Sequence, residues 1–187
     1  MLRPGMRPEE VPTLDMAPED VIARIEHHNA WMVIKGVEQD PAYGDLLYGF
    51  IDEVAYAAGL DPAVFTDLKG FLFVSSANAT TPFHIDAEEN ILVQIRGDKF
   101  VHIFDNQDRL LVDEEAMEIS PSKHRNQHYE ETFETRATVF TMSEGSAVHI
   151  PYMWPHWVRT GGRYSISMAM TWKTPEVLRL NKIRLVN

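Results

Sequence analysis

From residue 71 onward the chain is written in short β-branched and aromatic runs: Phe71 to Ser75, Ile91 to Ile95, Lys99 to Phe104, Thr138 to Met142, Ala147 to Ile150 and Tyr164 to Trp172. Turn-forming pairs separate most of them, as at Gly97-Asp98, Glu144-Gly145 and Gly161-Gly162. Short strands punctuated in this way argue for an antiparallel sandwich or barrel. The segment 105–137 interrupts the pattern. It is polar and poor in strand formers, and an insertion of that length in a compact barrel is more often functional than structural, which makes it a candidate substrate-contact lid.

The first third has a different texture. Pro4, Pro8, Pro12 and Pro18 fall among charged residues, so residues 1–17 read as a flexible arm. Pro18 suits a first helical position, Glu19 and Asp20 suit the positive helix end, and Val21, Ile22 and Ile25 supply an apolar stripe up to about His28. His27 and His28 then sit at a helix end, where the dipole favours histidine. Trp31 to Gly36 reads as a short strand. Asp40 as N-cap, Pro41 behind it, the apolar set Leu46, Leu47, Phe50, Ile51 and Val54, and Gly59 as terminator predict a helix over about 41–58. A second Asp-Pro pair, Asp61-Pro62, predicts a shorter helix ended by Gly70. The domain plan is a helical support over 18–70, a barrel over 71–172 carrying the 105–137 insertion, and a tail over 173–187.

Composition narrows the chemistry. The 187 residues include 44% apolar side chains, enough for one core. With 28 Asp and Glu against 17 Lys and Arg, neither phosphate backbones nor anionic membranes are expected partners. The absence of cysteine removes disulfides, thiolate zinc sites and thiol nucleophiles together, so a metal would have to be held by His, Asp or Glu. No apolar run approaches the ~20 residues of a membrane span, and the N-terminus has no signal-peptide pattern, so a cytoplasmic location is expected.

In His84-Ile85-Asp86 the two polar residues are two apart, so on a strand they share a face while Ile85 packs on the other. One imidazole and one carboxylate presented together are two-thirds of the two-His-one-carboxylate facial triad, which leaves metal positions open for other ligands. His149 and His156 are the candidates for the third ligand. His156 is preferred, because Ile150-Pro151-Tyr152-Met153-Trp154-Pro155-His156 reads as a strand end, a tight turn and a histidine carried back among aromatics. His149 has an alternative role as a hydrogen-bonded or barrel-lining histidine. His102 is expected on the outer face of its strand. His124 and His128, with Arg125 between them, occupy the polar insertion.

The stretch Thr81-Pro82-Phe83-His84-Ile85-Asp86-Ala87-Glu88-Glu89-Asn90-Ile91-Leu92-Val93-Gln94-Ile95-Arg96-Gly97-Asp98-Lys99, followed by Ile150-Pro151 through His156, resembles the Jumonji-C-type cupin-like oxygenases that depend on Fe(II) and 2-oxoglutarate. It is most similar to their asparaginyl-hydroxylase branch and bacterial relatives, over about residues 70–172. The resemblance implies a mainly β fold, a double-stranded β-helix or cupin barrel behind an α-helical N-terminal segment. It also implies that Thr81 and Lys99 bind the distal carboxylate of 2-oxoglutarate, with Asn90 near its other end. The residues agree: Lys99, Val101 and Ile103 share one strand face, and a lysine among apolar barrel residues needs an anionic partner.

Two features depart from that pattern. Met170 stands where the asparaginyl-hydroxylase branch has a second asparagine, so one polar contact is missing or replaced. Arg163-Tyr164-Ser165 resembles the Arg-x-Ser carboxylate clamp of other 2-oxoglutarate oxygenases, which makes Arg163 the alternative anchor. The activity implied is hydroxylation of a protein side chain or small molecule, with Asp86 favouring it over halogenation. The alternatives are a metal cupin that uses no 2-oxoglutarate and a non-catalytic cupin-like module. The tail's Val177, Leu178, Leu180, Ile183, Leu185 and Val186 are too apolar to leave in water, so a homodimer is expected, with packing of the tail back on its own barrel as the alternative.

Overall fold

Asp40 accepts a hydrogen bond from the Ala42 amide (2.9 Å), Pro41 follows, and Gly59 closes the segment with φ 66°, so both ends of α2 (Pro41–Ala58) form where the sequence places them. The computed structural model describes residues 2–7, 10, 11, 15–27, 30–112, 117 and 126–185. His28, His124, Arg125, Val186, Pro8 and Pro12 lie outside the described residues. α1 (Pro18–Ala23) is shorter than its apolar stripe suggests, and Ile25 is buried from the turn that follows it.

Among the described residues, nine strands build two antiparallel sheets. β1 (Trp31–Lys35), β2 (Thr66–Ser75), β9 (Ser165–Lys173), β4 (Glu89–Arg96) and β7 (Ala147–Ile150) lie side by side in that order. The second sheet runs β3 (Thr80–His84), β8 (His156–Thr160), β5 (Lys99–Ile103), β6 (Thr138–Met142). Between β4 and β5 the chain turns at Gly97, whose φ is +73°; a Cβ there would lie 2.5 Å from the Tyr164 carbonyl oxygen, so only glycine fits. A mainly β cupin barrel preceded by helices is therefore the fold.

The helix expected from Asp61 to Gly70 is a single 3-10 turn, Pro62–Val64, and residues 66–70 begin β2 instead. Pairing of Thr66 with Lys173 and of Lys69 with Thr171 takes precedence over local helix signals. Gly70 acts as a clearance position rather than a stop, since a Cβ there would meet Val37 and Leu47 side chains at 2.6 and 2.7 Å.

Three apolar layers result. Between the sheets lie Leu92, Val101, Ile103, Val148, Ile150, Val158 and Ala169 with Phe71, Phe73 and Trp154. Leu47 and Ile51 of α2 cover the outer face of the five-stranded sheet, against Ile91, Met168, Met170 and Trp172. The outer face of the four-stranded sheet is covered by the insertion, where Leu111, Val112, Met117, Tyr129 and Phe133 meet Phe83, Phe104 and Trp157. The described part of the insertion is thus an outer layer of the barrel wall. The N-terminal arm adds to it: the Phe83 amide donates to the Pro4 carbonyl (2.8 Å) and the Asn126 side chain to that of Met6 (3.3 Å).

The tail forms α3 (Pro175–Leu185), started by Thr174, whose hydroxyl accepts from the Val177 amide (3.2 Å). Val177 is buried against the barrel, whereas Leu178, Ile183 and Leu185 are exposed. Among the described residues no helix is long and apolar enough to cross a membrane.

Candidate metal centre

β3 ends at His84, and its cross-strand partner is His156, the first residue of β8. Directly opposed residues of antiparallel strands share a face, which brings the two imidazoles together with ring centroids 4.1 Å apart. Each ring is oriented by its own chain. His84 Nδ1 donates to the Pro82 carbonyl (2.7 Å) and His156 Nδ1 to the Trp154 carbonyl (3.0 Å), so both rings leave the Nε2 lone pair free.

Asp86 lies just past the end of β3, and the alternation continues: Ile85 is buried on the outer side while the carboxylate turns inward. Asp86 Oδ2 is 3.8 Å from His84 Nε2 and 3.7 Å from His156 Nε2. These separations are too long for hydrogen bonds and somewhat wider than the roughly 3.0–3.4 Å between neighbouring ligands that each reach one ion at about 2.1 Å. The three ligand atoms lie within 4.8 Å of one another, and they form the one such metal-ligating group among the described residues. Burial, reinforced by His84, pushes His156 down to about 4, with Asp86 opposing. It is therefore neutral near pH 7, the form that can ligate a metal. Two free Nε2 atoms and one carboxylate fit a divalent ion with open positions.

His149 does not join this group. It pairs with Ile91 on the outward-facing side of β7, its Nε2 lies 2.9 Å from Glu89 Oε2, and its ring stacks on Trp172. His102 also faces outward, stacked on Trp157 at 3.8 Å, with Nδ1 donating to Glu134 (2.8 Å). His128 is exposed beside Glu130.

The other candidate residues follow along the same inner face. On β8, His156, Val158 and Thr160 point inward in turn, opposite His84, Thr81 and, from β5, Lys99 respectively. Lys99 is thus displaced from the triad by four residues of strand, about 13 Å at the backbone. Its ammonium is buried, donates to Ser167 Oγ (2.6 Å), lies over the Phe73 ring at 5.5 Å, and has no carboxylate partner among the described residues. Burial lowers its pKa from 10.5 to about 8. Asn90, in the facing sheet, is 7% exposed, and its Oδ1 has no hydrogen-bond partner among the described residues. Arg163 is exposed in the bend before β9.

Two residues of β9 escaped the sequence reading. Met170 faces outward into the layer under α2, so it is not the barrel-lining residue; Thr171, the register partner of Asn90, lines the interior instead. Ser167 also faces inward and holds Lys99. The alternation of Ser165, Ser167, Ala169 and Thr171 carried this signal, but its face could be assigned only from the register with β4.

A family model described as "Cupin-like domain" matches residues 20–176. Among solved structures, an X-ray structure of E. coli ycfD aligns with TM-score 0.53 and 13% identity over 78% of this chain and 34% of its own. A crystal structure of Escherichia coli ribosomal oxygenase YcfD aligns with TM-score 0.51 and 12% identity over 81% and 34%. Oxalate decarboxylase from Lactobacillus farciminis overlaps with TM-score 0.41 and 13% identity, over 59% of this chain and 25% of its own. The chain thus spans between a quarter and about a third of these solved proteins. No curated protein matches the sequence significantly. With the model covering most of its length and the barrel on which that model rests in place, the chain belongs to the cupin-like domain family.

Proposed function

We propose that the chain is an Fe(II)- and 2-oxoglutarate-dependent oxygenase that hydroxylates a protein side chain or small molecule. His84, Asp86 and His156 would hold the iron, and Thr81, Lys99 and Asn90 the co-substrate. The observation that carries this reading is the buried Lys99 ammonium, which has no carboxylate partner among the described residues and lies on the same inner face as the triad. Burying an unpaired ammonium is costly, and an anion supplied from outside the chain offsets that cost. Thr81 and Lys99 share that inner face with the histidines, so a dicarboxylate with one end at the histidines would turn its other end towards them.

When bound, iron and 2-oxoglutarate supply oxidative decarboxylation to succinate and CO2 and insertion of oxygen from O2 into the substrate. The chain's own contribution is placement. The Pro82 and Trp154 carbonyls fix the imidazole tautomers. Asn90 Oδ1 is a buried acceptor without a hydrogen-bond partner among the described residues, beside the apolar layer between the sheets. The solved neighbour described as a ribosomal oxygenase agrees with an oxygenase assignment; at 12% identity its likeness speaks for the fold alone. A cupin without 2-oxoglutarate chemistry, or a non-catalytic module, leaves Lys99 and Asn90 without a role.

The test is succinate formation from 2-oxoglutarate with Fe(II), measured on the wild type and five variants. His84→Ala, Asp86→Ala and His156→Ala are each expected to abolish turnover, because a triad short of one ligand holds Fe(II) weakly. Lys99→Met should weaken 2-oxoglutarate binding by about 30- to 150-fold, the loss of one charge-assisted pair, with Fe(II) affinity nearly unchanged. A large loss in Arg163→Met with almost none in Lys99→Met would transfer the anchor to the arginine. Wild-type protein that turns over no 2-oxoglutarate at any metal loading would end the reading.

A further inference from the structure

Beyond the strand pairing of His84 with His156, the candidate metal centre depends on two loops that no strand pairing joins. One, residues 85–88, carries Asp86; the other, residues 151–155, leads into His156. Their direct backbone link is the Met153 amide donating to the Asp86 carbonyl (2.9 Å). Met153 holds φ at +61°, a left-handed conformation that is unfavourable for a methionine. Something must hold this loop against relaxation.

The C-terminal helix reaches both loops. Asn181 of α3 donates from Nδ2 to the Ala87 carbonyl (3.0 Å), one residue beyond Asp86, and its Oδ1 accepts from the Tyr152 hydroxyl (2.8 Å), one residue before Met153. One amide therefore ties the carboxylate loop to the histidine loop from outside the barrel. Arg184, one turn further on, donates to the Met117 carbonyl of the insertion (3.2 Å) and lies over the Tyr152 ring at 6.0 Å, which fixes that end of α3 in place.

We infer that Asn181 is a positioning residue for the metal centre: by clamping Ala87 and Tyr152 it sets the separation of Asp86 from His156. The inference rests on the proposed metal reading and adds α3, a helix outside the barrel, to what that site requires. Outer partners that orient metal ligands change metal affinity by about 10- to 100-fold when removed. An asparagine that merely packs would leave metal affinity untouched.

The experiment uses the full-length chain with two readouts. The first is hydrogen exchange of the Met153 amide in metal-free protein, which reports the link between the loops without any ion. The second is the Mn(II) dissociation constant, measured well below the melting temperature. Asn181→Ala should speed Met153 exchange about tenfold and weaken Mn(II) binding by about tenfold or more. Tyr152→Phe should do the same in part, since it removes one arm of the clamp. Arg179→Ala, on the exposed side of α3, should change neither. If Asn181→Ala leaves Met153 protected, the clamp is wrong; if Met153 opens and Mn(II) affinity holds, Asn181 is structural only. A wild type that takes up no Mn(II) would end the metal reading and the positioning role together, and Met153 exchange would show separately whether the clamp exists.

Discussion

The role proposed for Lys99 opposes the stability of the fold. Burial among Val101, Ile103 and Phe73 holds its pKa near 8, so below that pH the folded metal-free protein carries a charge it solvates poorly. The unfolded lysine keeps its proton up to about 10.5, so between about 8 and 10.5 the unfolded state binds more protons and stability should rise with pH. Co-substrate binding should run the other way, because the carboxylate needs the ammonium, and affinity should decline above about pH 8. Lys99→Met should flatten both dependences and raise stability at neutral pH by on the order of 1–3 kcal/mol, while it loses the co-substrate. Denaturant unfolding and 2-oxoglutarate titration of the Mn(II)-loaded protein across that pH range check both. A Lys99→Met protein less stable than wild type would show that Ser167 and Phe73 already satisfy the ammonium.

At the scale of elements, one carboxylate of the insertion gathers side chains from both the insertion and the barrel. Glu134, in the 3-10 stretch Glu131–Arg136, accepts from Tyr129 Oη (2.6 Å) and Trp157 Nε1 (2.7 Å) on one oxygen, and from His102 Nδ1 (2.8 Å) on the other. All three donors lie on the outer side of the four-stranded sheet, and Trp157 directly follows His156. Burial lowers the pKa of His102 despite the opposing carboxylate, so the imidazole is neutral near pH 7 and donates through Nδ1. Glu134→Gln turns an acceptor for three donors into a group with donors of its own. It should destabilise the fold by about 1–3 kcal/mol. Proteolysis should then cut within the 105–137 insertion first. A denaturation midpoint unchanged by the substitution would mean that Phe83, Tyr129 and Phe133 suffice to hold the insertion.

For the whole molecule, α3 has one side on the barrel and one facing away from it. Its inner side, through Val177 and Asn181, packs on its own barrel, which accounts for part of the tail's apolar content. Leu178, Ile183 and Leu185 remain exposed, and the homodimer proposed for the tail rests on them. Sedimentation equilibrium should give twice the mass of the chain, and Leu185→Glu, which changes no contact inside the barrel core, should give the single mass. A wild-type monomer at micromolar concentration would remove the dimer and leave the metal centre untouched.

Local pattern alone determined much of this protein. Asp40-Pro41 and Gly59 define α2, the two-residue period puts Lys99, Val101 and Ile103 on one face, and the spacing of His84 and Asp86 puts imidazole and carboxylate on the same side. These depend on backbone geometry within a few residues. Register is different, because a one-residue slip exchanges the two faces of a strand and only long-range pairing chooses between them. That is why, although the turn before His156 favours it over His149 in the sequence, only the pairing places His149 opposite Ile91 on the outer face and His156 opposite His84. It is also why Met170 read as barrel-lining when Thr171 holds that place, and why residues 66–70 read as helix when β9 takes them as strand. Asn181 had no signal in the sequence at all, since its partners, Ala87 and Tyr152, come within its reach only after the barrel has closed.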